Sequence, residues 1–249
     1  MLELTVIVVA GFFCGALNAI AGGGTFVTFP VLVWIGIPPV VANATATTMA
    51  VPGYFASVWA YRTDIRAEGA LRLKMVVMIA ALGGILGSVL LVVTSPKAFL
   101  LFVPWLLLTA TLLFAFAPQL QKLSEISGSG IRSTTTAAAV LLLVAIYGGY
   151  FNGGMGIIML AALALQGYRN LHGMNGLKNL LSSVLSMLSV ITFMTADLIA
   201  WDAAIPMSIA NICGAYVTSR FVRHMTRIDI LRGVIIVVGG VMTVTFFVL

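Results

Sequence analysis

The chain is written in long runs from which charged side chains are almost absent. Six stretches, roughly 40–61, 74–94, 98–117, 171–195, 203–220 and 231–249, have the length and apolar content of a helix that crosses a bilayer. An α-helix rises about 1.5 Å per residue, so about 20 apolar residues span the hydrocarbon core. Charged residues are 8% of the chain and hydrophobic ones 61%, against about 25% and about 45–50% in a soluble domain. A soluble globule of this size lacks the charge to cover its surface. A coiled coil, a disordered chain and a disulfide scaffold are excluded on the same figures. Residues 4–21 carry no basic flank, and the apolar pattern resumes after Gly24. That segment is therefore read as part of the mature protein and not as a signal peptide. Cys14 and Cys213 form no CxxC or metal spacing and are read as small packing residues.

Two longer apolar stretches do not fit as single helices. Residues 4–35 are interrupted at Gly22, Gly23 and Gly24, and residues 134–166 at Asn152, Gly153 and Gly154. Each divides into one near-full-length helix and a shorter piece. If each stretch were one long tilted helix, the 13 Lys and Arg would split six to seven across the membrane. If each is a hairpin, the 62–74, 118–133, 167–178 and 220–232 segments share one side with 12 of them, and Lys97 stands alone opposite. Cytoplasmic loops carry the Lys and Arg excess, so the hairpin reading is preferred and both termini face outward in a multi-pass inner-membrane protein. The net charge of +6 is then a topology record. The Arg220, Arg223, His224 and Arg227 cluster is read as a topogenic loop, and no nucleic-acid partner is expected.

The same order of elements occurs twice. Residues 15–65 and 147–198 are weakly similar at an offset of about 131–132, aligning Gly22-Gly23-Gly24 with Gly153-Gly154-Met155, Gly36 with Gly167 and Asn43 with Asn175. The fold expected is an all-α polytopic membrane protein of two inverted repeats, 1–117 and 134–249, joined by a cytoplasmic linker at 118–133. Each repeat holds a Gly-broken helix, a short half-helix and three transmembrane helices, giving eight long helices and two short ones. The heavy positive loop follows the third segment in the first half and the fourth in the second, as opposite membrane orientation requires. Inverted repeats with broken helices and a midplane site recur among transporters.

The run Gly15–Pro30 with its Gly22-Gly23-Gly24 triplet, then Gly36, Pro38, Pro39 and Ala42–Thr47, resembles the sulfite exporter TauE/SafE family. Tyr147–Gly156 and Asn175–Asn179 resemble that family's second repeat, with Met155 interrupting the glycine run and Ala46 where a Ser often follows Thr. The resemblance covers nearly the whole chain. It implies a transporter of small anions such as sulfite, sulfoacetate and related organosulfur or organic acids.

Four features could bind such an anion. Gly22, Gly23 and Gly24, and Gly153, Gly154 and Gly156, precede short helices, where free backbone N–H groups and the helix dipole attract negative charge. Lys178 lies about two turns into an apolar segment, where a Lys costs about 2.5–3.5 kcal/mol at a helix centre; it is read as a counter-charge. Asn43, Thr45, Thr47 and Thr48 in one half, and Asn175 and Asn179 in the other, can donate to oxyanion oxygens. Asn18, Asn152 and Asn211 are weaker candidates of this kind. Lastly, all seven acidic residues fall at or near loops, which leaves His172 as the one candidate for coupling a proton. No catalytic set, metal cluster or cofactor motif occurs within the spans, so no enzyme activity, metal or cofactor is expected. The expected partners are a small anionic substrate and the bilayer, with a homodimer left open. The rival readings are a passive anion channel and a membrane scaffold or sensor without flux.

Overall fold

A computed structural model describes residues 2–20, 22–126, 131, 133–221 and 228–248. Among these are ten helices and no strand: α1 (Leu2–Ile20), α2 (Thr25–Trp34), α3 (Pro39–Tyr61), α4 (Leu73–Val93), α5 (Pro96–Ile126), α6 (Thr134–Tyr150), α7 (Met155–Leu165), α8 (Leu171–Thr195), α9 (Trp201–Phe221) and α10 (Ile228–Val248). The six expected long segments correspond to α3, α4, α5, α8, α9 and α10. In lipid every backbone N–H and C=O must be satisfied within the protein, which an apolar chain achieves by being helical. α4 and the 172–195 stretch of α8 combine spanning length with mean hydropathies of 2.7 and 1.5. Their outward side chains are apolar, with Met78 70% and Val93 71% exposed.

α5 continues to Ile126, so helix covers part of the stretch read as linker. After Pro118, residues 119–126 hold Gln, Leu, Lys and Glu, all good helix formers, and no Gly or further Pro appears before Gly128. Arg223, His224 and Arg227 of the basic loop, and Arg132, lie outside the described residues.

Both breaks are hairpins. Gly22 takes a left-handed φ of +82°, and α2 runs back along α1, with the Gly24 N–H donating to Asn18 Oδ1 at 2.8 Å and Thr28 facing Cys14 Sγ. In the second break Gly154 has φ +71°, and the Ile131 N–H just before α6 donates to Leu165 O at the end of α7 at 2.9 Å. A single long helix could not bring those ends together. Both short helices also stop alike. Gly36 (φ +92°) and Gly167 (φ +88°) sit after α2 and α7, and the next residue's N–H returns to Leu32 O and Leu163 O respectively. This is the left-handed glycine cap with a six-to-one hydrogen bond. Pro39 opens α3 with its fixed φ. Asn170 caps α8, accepting from the His172 and Gly173 N–H groups.

Turning back brings two of the basic segments together. The 62–72 loop packs on 166–173: the Arg169 N–H reaches Glu68 Oε2 at 3.4 Å, Gly173 lies against Asp64 O, and the Tyr61 and His172 rings stack at 6.3 Å. At the opposite end the Ala200 N–H donates to Thr45 Oγ1 at 3.0 Å, tying the α8–α9 turn to the start of α3.

The closest helix pairs are α1 with α9 and α4 with α6. Gly11 and Gly15 face Met207 and Asn211, and Gly214 faces Phe12. Gly83 and Gly87 face Ala145 and Ile146, and Gly149 faces Gly84. Small residues at these positions bring backbones into contact, the usual way helices associate in lipid.

Candidate functional site

The two breaks meet. A Cβ added to Gly22 would fall 2.5 Å from Gly156 Cα, and one added to Gly156 would fall 2.5 Å from Gly22 Cα. The starts of α2 and α7 therefore converge, and Thr25 Oγ1 at the start of α2 donates to Asn152 O in the other break at 2.9 Å. The four N–H groups that open a helix lack intrahelical partners. Several are engaged here: the N–H of Gly24 is held by Asn18, those of Phe26 and Val27 by Gly23 O and Gly24 O, and those of Met155 and Ile157 by Asn152 O and Gly154 O. Gly153 packs on the ring of Phe151, and Gly154 fits against Ala110 and Phe26. The glycines thus serve close packing as well as any ligand.

α8 runs past both breaks with a polar stripe along its buried side. Asn175, Lys178 with Asn179, Ser182, Ser186 and Ser189 recur at three- or four-residue steps, the spacing of one helix face. Lys178 is fully buried. Its ammonium donates to Asn18 O, beside the first break, at 2.9 Å and to Asn175 Oδ1 at 3.3 Å. An ammonium carries three donors, so one remains without a partner among the described residues. Both acceptors are neutral. Among the described residues no Asp, Glu or Arg joins Lys178 in the buried set. Asn179, the next residue, is also fully buried, and neither its amide nitrogen nor its oxygen has a partner. Two turns on, Ser186 Oγ accepts from Asn152 Nδ2 at 3.0 Å, so the second break is tied to the same helix. Between them Ser182 Oγ approaches Met155 Sδ at 3.3 Å.

Other expected site residues are already engaged. Asn43 Nδ2 donates to Tyr150 O at 2.9 Å. Thr47 and Thr48 return their hydroxyl protons to Asn43 O and Ala44 O in their own helix. Thr45 binds the Ala200 N–H. Asn152 Oδ1 accepts from Tyr54 OH at 3.1 Å. His172 is exposed and lies near the 62–72 loop, far along α8 from Ser186. Gly23 is buried in the first turn.

Tyr54, Ser182 and Ser186 had not been singled out. Cys14, read as a packing residue, is indeed buried, yet Asn18 Nδ2 points at its sulfur from 3.4 Å and Thr28 faces it. Asn211 near it is buried with both amide atoms unpartnered.

A family model described as sulfite exporter TauE/SafE matches residues 7–246. The chain belongs to the TauE/SafE family. Among its relatives, a "Probable membrane transporter protein" of Haemophilus influenzae is 27% identical over 241 residues, covering 96% of this chain and 92% of the relative. A "Probable membrane transporter protein ORF9" of a Sinorhizobium species is 25% identical over 219 residues, covering 88% and 82%. As a TauE/SafE member of this helical, apolar build, the protein is a membrane transporter.

Proposed function

We propose that the protein is a secondary transporter that moves a small anion by alternating access, the substrate being sulfite, an organosulfonate such as sulfoacetate, or a small carboxylate. The observation that carries this reading is Lys178: a buried cation held by two neutral acceptors, with a spare donor, beside the unpartnered amide of Asn179. Burying an uncompensated charge is costly, and a bound anion supplies the missing partner. The convergent starts of α2 and α7 add dipoles of the same sign.

The inverted-repeat reading is supported by reciprocal packing. Exchanging the first five helices with the last five turns the α1–α9 contact into α6–α4, and α3–α9 into α8–α4, while α3–α8 and α5–α10 map onto themselves. Counterflow in proteoliposomes tests the transport mode. Labelled sulfite taken up against a gradient of unlabelled sulfite inside supports an alternating carrier; uptake without trans-stimulation points to a channel, and no flux to a scaffold or sensor.

Single cysteines at 36–39 and at 167–172 are expected to react with an impermeant thiol reagent from opposite sides of the membrane, the former from outside. Labelling of both from one side would overturn the hairpin topology and the outward termini.

Replacing a buried, unpartnered amide by an apolar group of similar shape relieves a desolvation cost of about 1–3 kcal/mol. Asn179→Leu is therefore expected to melt higher than the parent without ligand, and to gain less stability from added sulfite. A lower melting point with an unchanged sulfite shift would make Asn179 a packing residue.

A further inference from the structure

Alternating access needs two units that move against each other, and the halves of the sequence are the obvious pair. The packing does not divide that way. α1, α2 and α3 pack on one another, and α9 from the second half closes on α1 and α3. Likewise α6, α7 and α8 pack on one another, and α4 from the first half closes on α6 and α8. The buried apolar side chains separate along the same line. One core is drawn from the α4, α6, α7 and α8 group, including Ala80, Leu141, Met159 and Leu181. The other joins α1, α2, α3 and α9 with α5 and α10, through Leu17, Phe29, Met49 and Met207, and takes in a few side chains at the ends of α4, α6, α7 and α8.

The chemistry of the contacts differs in kind. Within each group the exchanged helix is zipped in through glycines, α9 to α1 and α4 to α6, with backbones in contact. α4 is fastened to α8 as well, by Ser88 Oγ to Thr192 Oγ1 at 3.1 Å and by Ser189 Oγ to Gly84 O at 3.1 Å. Close-packed contacts of this kind do not slide without opening voids. Between the groups α3 lies on α8, backbones approach locally at Gly22–Gly156 and Gly173–Asp64, and the hydrogen bonds across the seam are made by side chains: Lys178 to Asn18 O, Thr25 to Asn152 O, Tyr54 to Asn152 Oδ1 and Asn43 to Tyr150 O. Bonds like these can be exchanged for bonds to water or to a polar ligand at small net cost.

We propose that the moving units are two bodies that have exchanged a helix, α1–α3 with α9 and α6–α8 with α4, and that the anion passes between them along α3 and α8. This rests on the transporter reading above and specifies which parts move. It makes Asn152 a positioning residue at the seam: its carbonyl and amide oxygens accept from Thr25 and Tyr54 of one body, while its amide nitrogen holds Ser186 of the other.

Two cross-links separate this division from motion of the sequence halves. Both join the first half to the second. Ser88→Cys with Thr192→Cys lies inside one body. Tyr61→Cys with Gly176→Cys joins α3 to α8 across the seam, where a Cβ on Gly176 would stand 3.1 Å from that of Tyr61. Each pair is built on a Cys14→Ala, Cys213→Ala background, oxidised in proteoliposomes and assayed for counterflow of labelled sulfite before and after reduction. The expected result is that the Ser88–Thr192 pair keeps most of its counterflow when cross-linked, whereas the Tyr61–Gly176 pair loses nearly all of it and regains it on reduction. Reversible loss of counterflow in the Ser88–Thr192 pair would overturn the exchanged bodies in favour of moving halves. Full activity of the cross-linked Tyr61–Gly176 pair would show that the seam does not open. Absence of counterflow in the cysteine-free background and the parent alike would overturn the carrier reading itself, and this inference with it.

Discussion

Lys178→Met is expected to leave the protein folded, melting near the parent temperature, while weakening sulfite binding about tenfold, on the order of 1.4 kcal/mol. The two signs follow from the same geometry. Met matches the length of the Lys stem and removes a charge that burial disfavours, and replacing buried ions by well-packed apolar groups is often neutral or stabilising. Two hydrogen bonds to neutral acceptors are lost with it, to Asn18 O and Asn175 Oδ1. Such bonds are worth about 1.5–3 kcal/mol each, so the pair offsets or somewhat exceeds the about 2.5–3.5 kcal/mol that insertion scales assign to a central Lys. Stability should therefore change little. The anion has no such compensation, because among the described residues no other Lys or Arg is buried. Thermal shift gives the first quantity, and sulfite titration by calorimetry gives the second. A lower melting point with unchanged sulfite affinity would mean that Lys178 only staples α8 to α1. Lys178→Arg should not rescue binding fully, since the planar guanidinium has a different fork of donors from the compact ammonium.

Much of this site was legible in the residues, and its limits have physical causes. The glycines at 22 and 154 marked the two breaks, those at 36 and 167 aligned between the repeats, and all four have left-handed φ. The scarcity of Lys and Arg made their positions informative enough to favour two hairpins, the arrangement that the Ile131–Leu165 bond closes. Lys178 stood out because charge in an apolar run is expensive. Ser182 and Ser186 did not. A serine in such a helix commonly bonds a carbonyl one turn back, as Ser183 does to Leu180 O and Ser189 to Leu185 O, so nothing local distinguishes the one that receives Asn152. Thr47 and Thr48 are the converse case, attractive donors whose protons stay within α3. The roles of Asn18 and Tyr54 depend on partners 160 and 98 positions away. Such pairings arise only when the helices assemble. The exchange of α4 and α9 was hidden for the same reason: the repeat in the sequence suggests two halves, while the glycine faces that join α1 to α9 and α4 to α6 are fixed by three-dimensional packing.

Gly22→Ala is expected to be more disruptive than Gly36→Ala or Gly156→Ala, and it can be taken apart into its causes. Gly22 has φ +82° and its added Cβ would meet the Gly156 backbone. Gly36 has φ +92° but open space around an added Cβ. Gly156 is helical, so Gly156→Ala carries no left-handed strain and only the contact with Gly22. A non-glycine residue in the left-handed region costs about 1–2 kcal/mol, and overpacking typically costs about 1–3 kcal/mol. Gly36→Ala should therefore lose only the first amount and Gly156→Ala only the second. Gly22→Ala should lose about their sum, about 2–5 kcal/mol, enough to lower the yield of folded protein sharply. The measurement is melting temperature in detergent for all three variants. Because the starts of α2 and α7 meet at Gly22 and Gly156, Gly156→Ala should also depress sulfite counterflow more than its stability loss alone explains, while Gly36→Ala should leave counterflow per folded molecule near the parent value. If Gly22→Ala proves no worse than Gly36→Ala, the two breaks do not touch in the membrane, and the convergence of α2 and α7 on a shared anion is wrong.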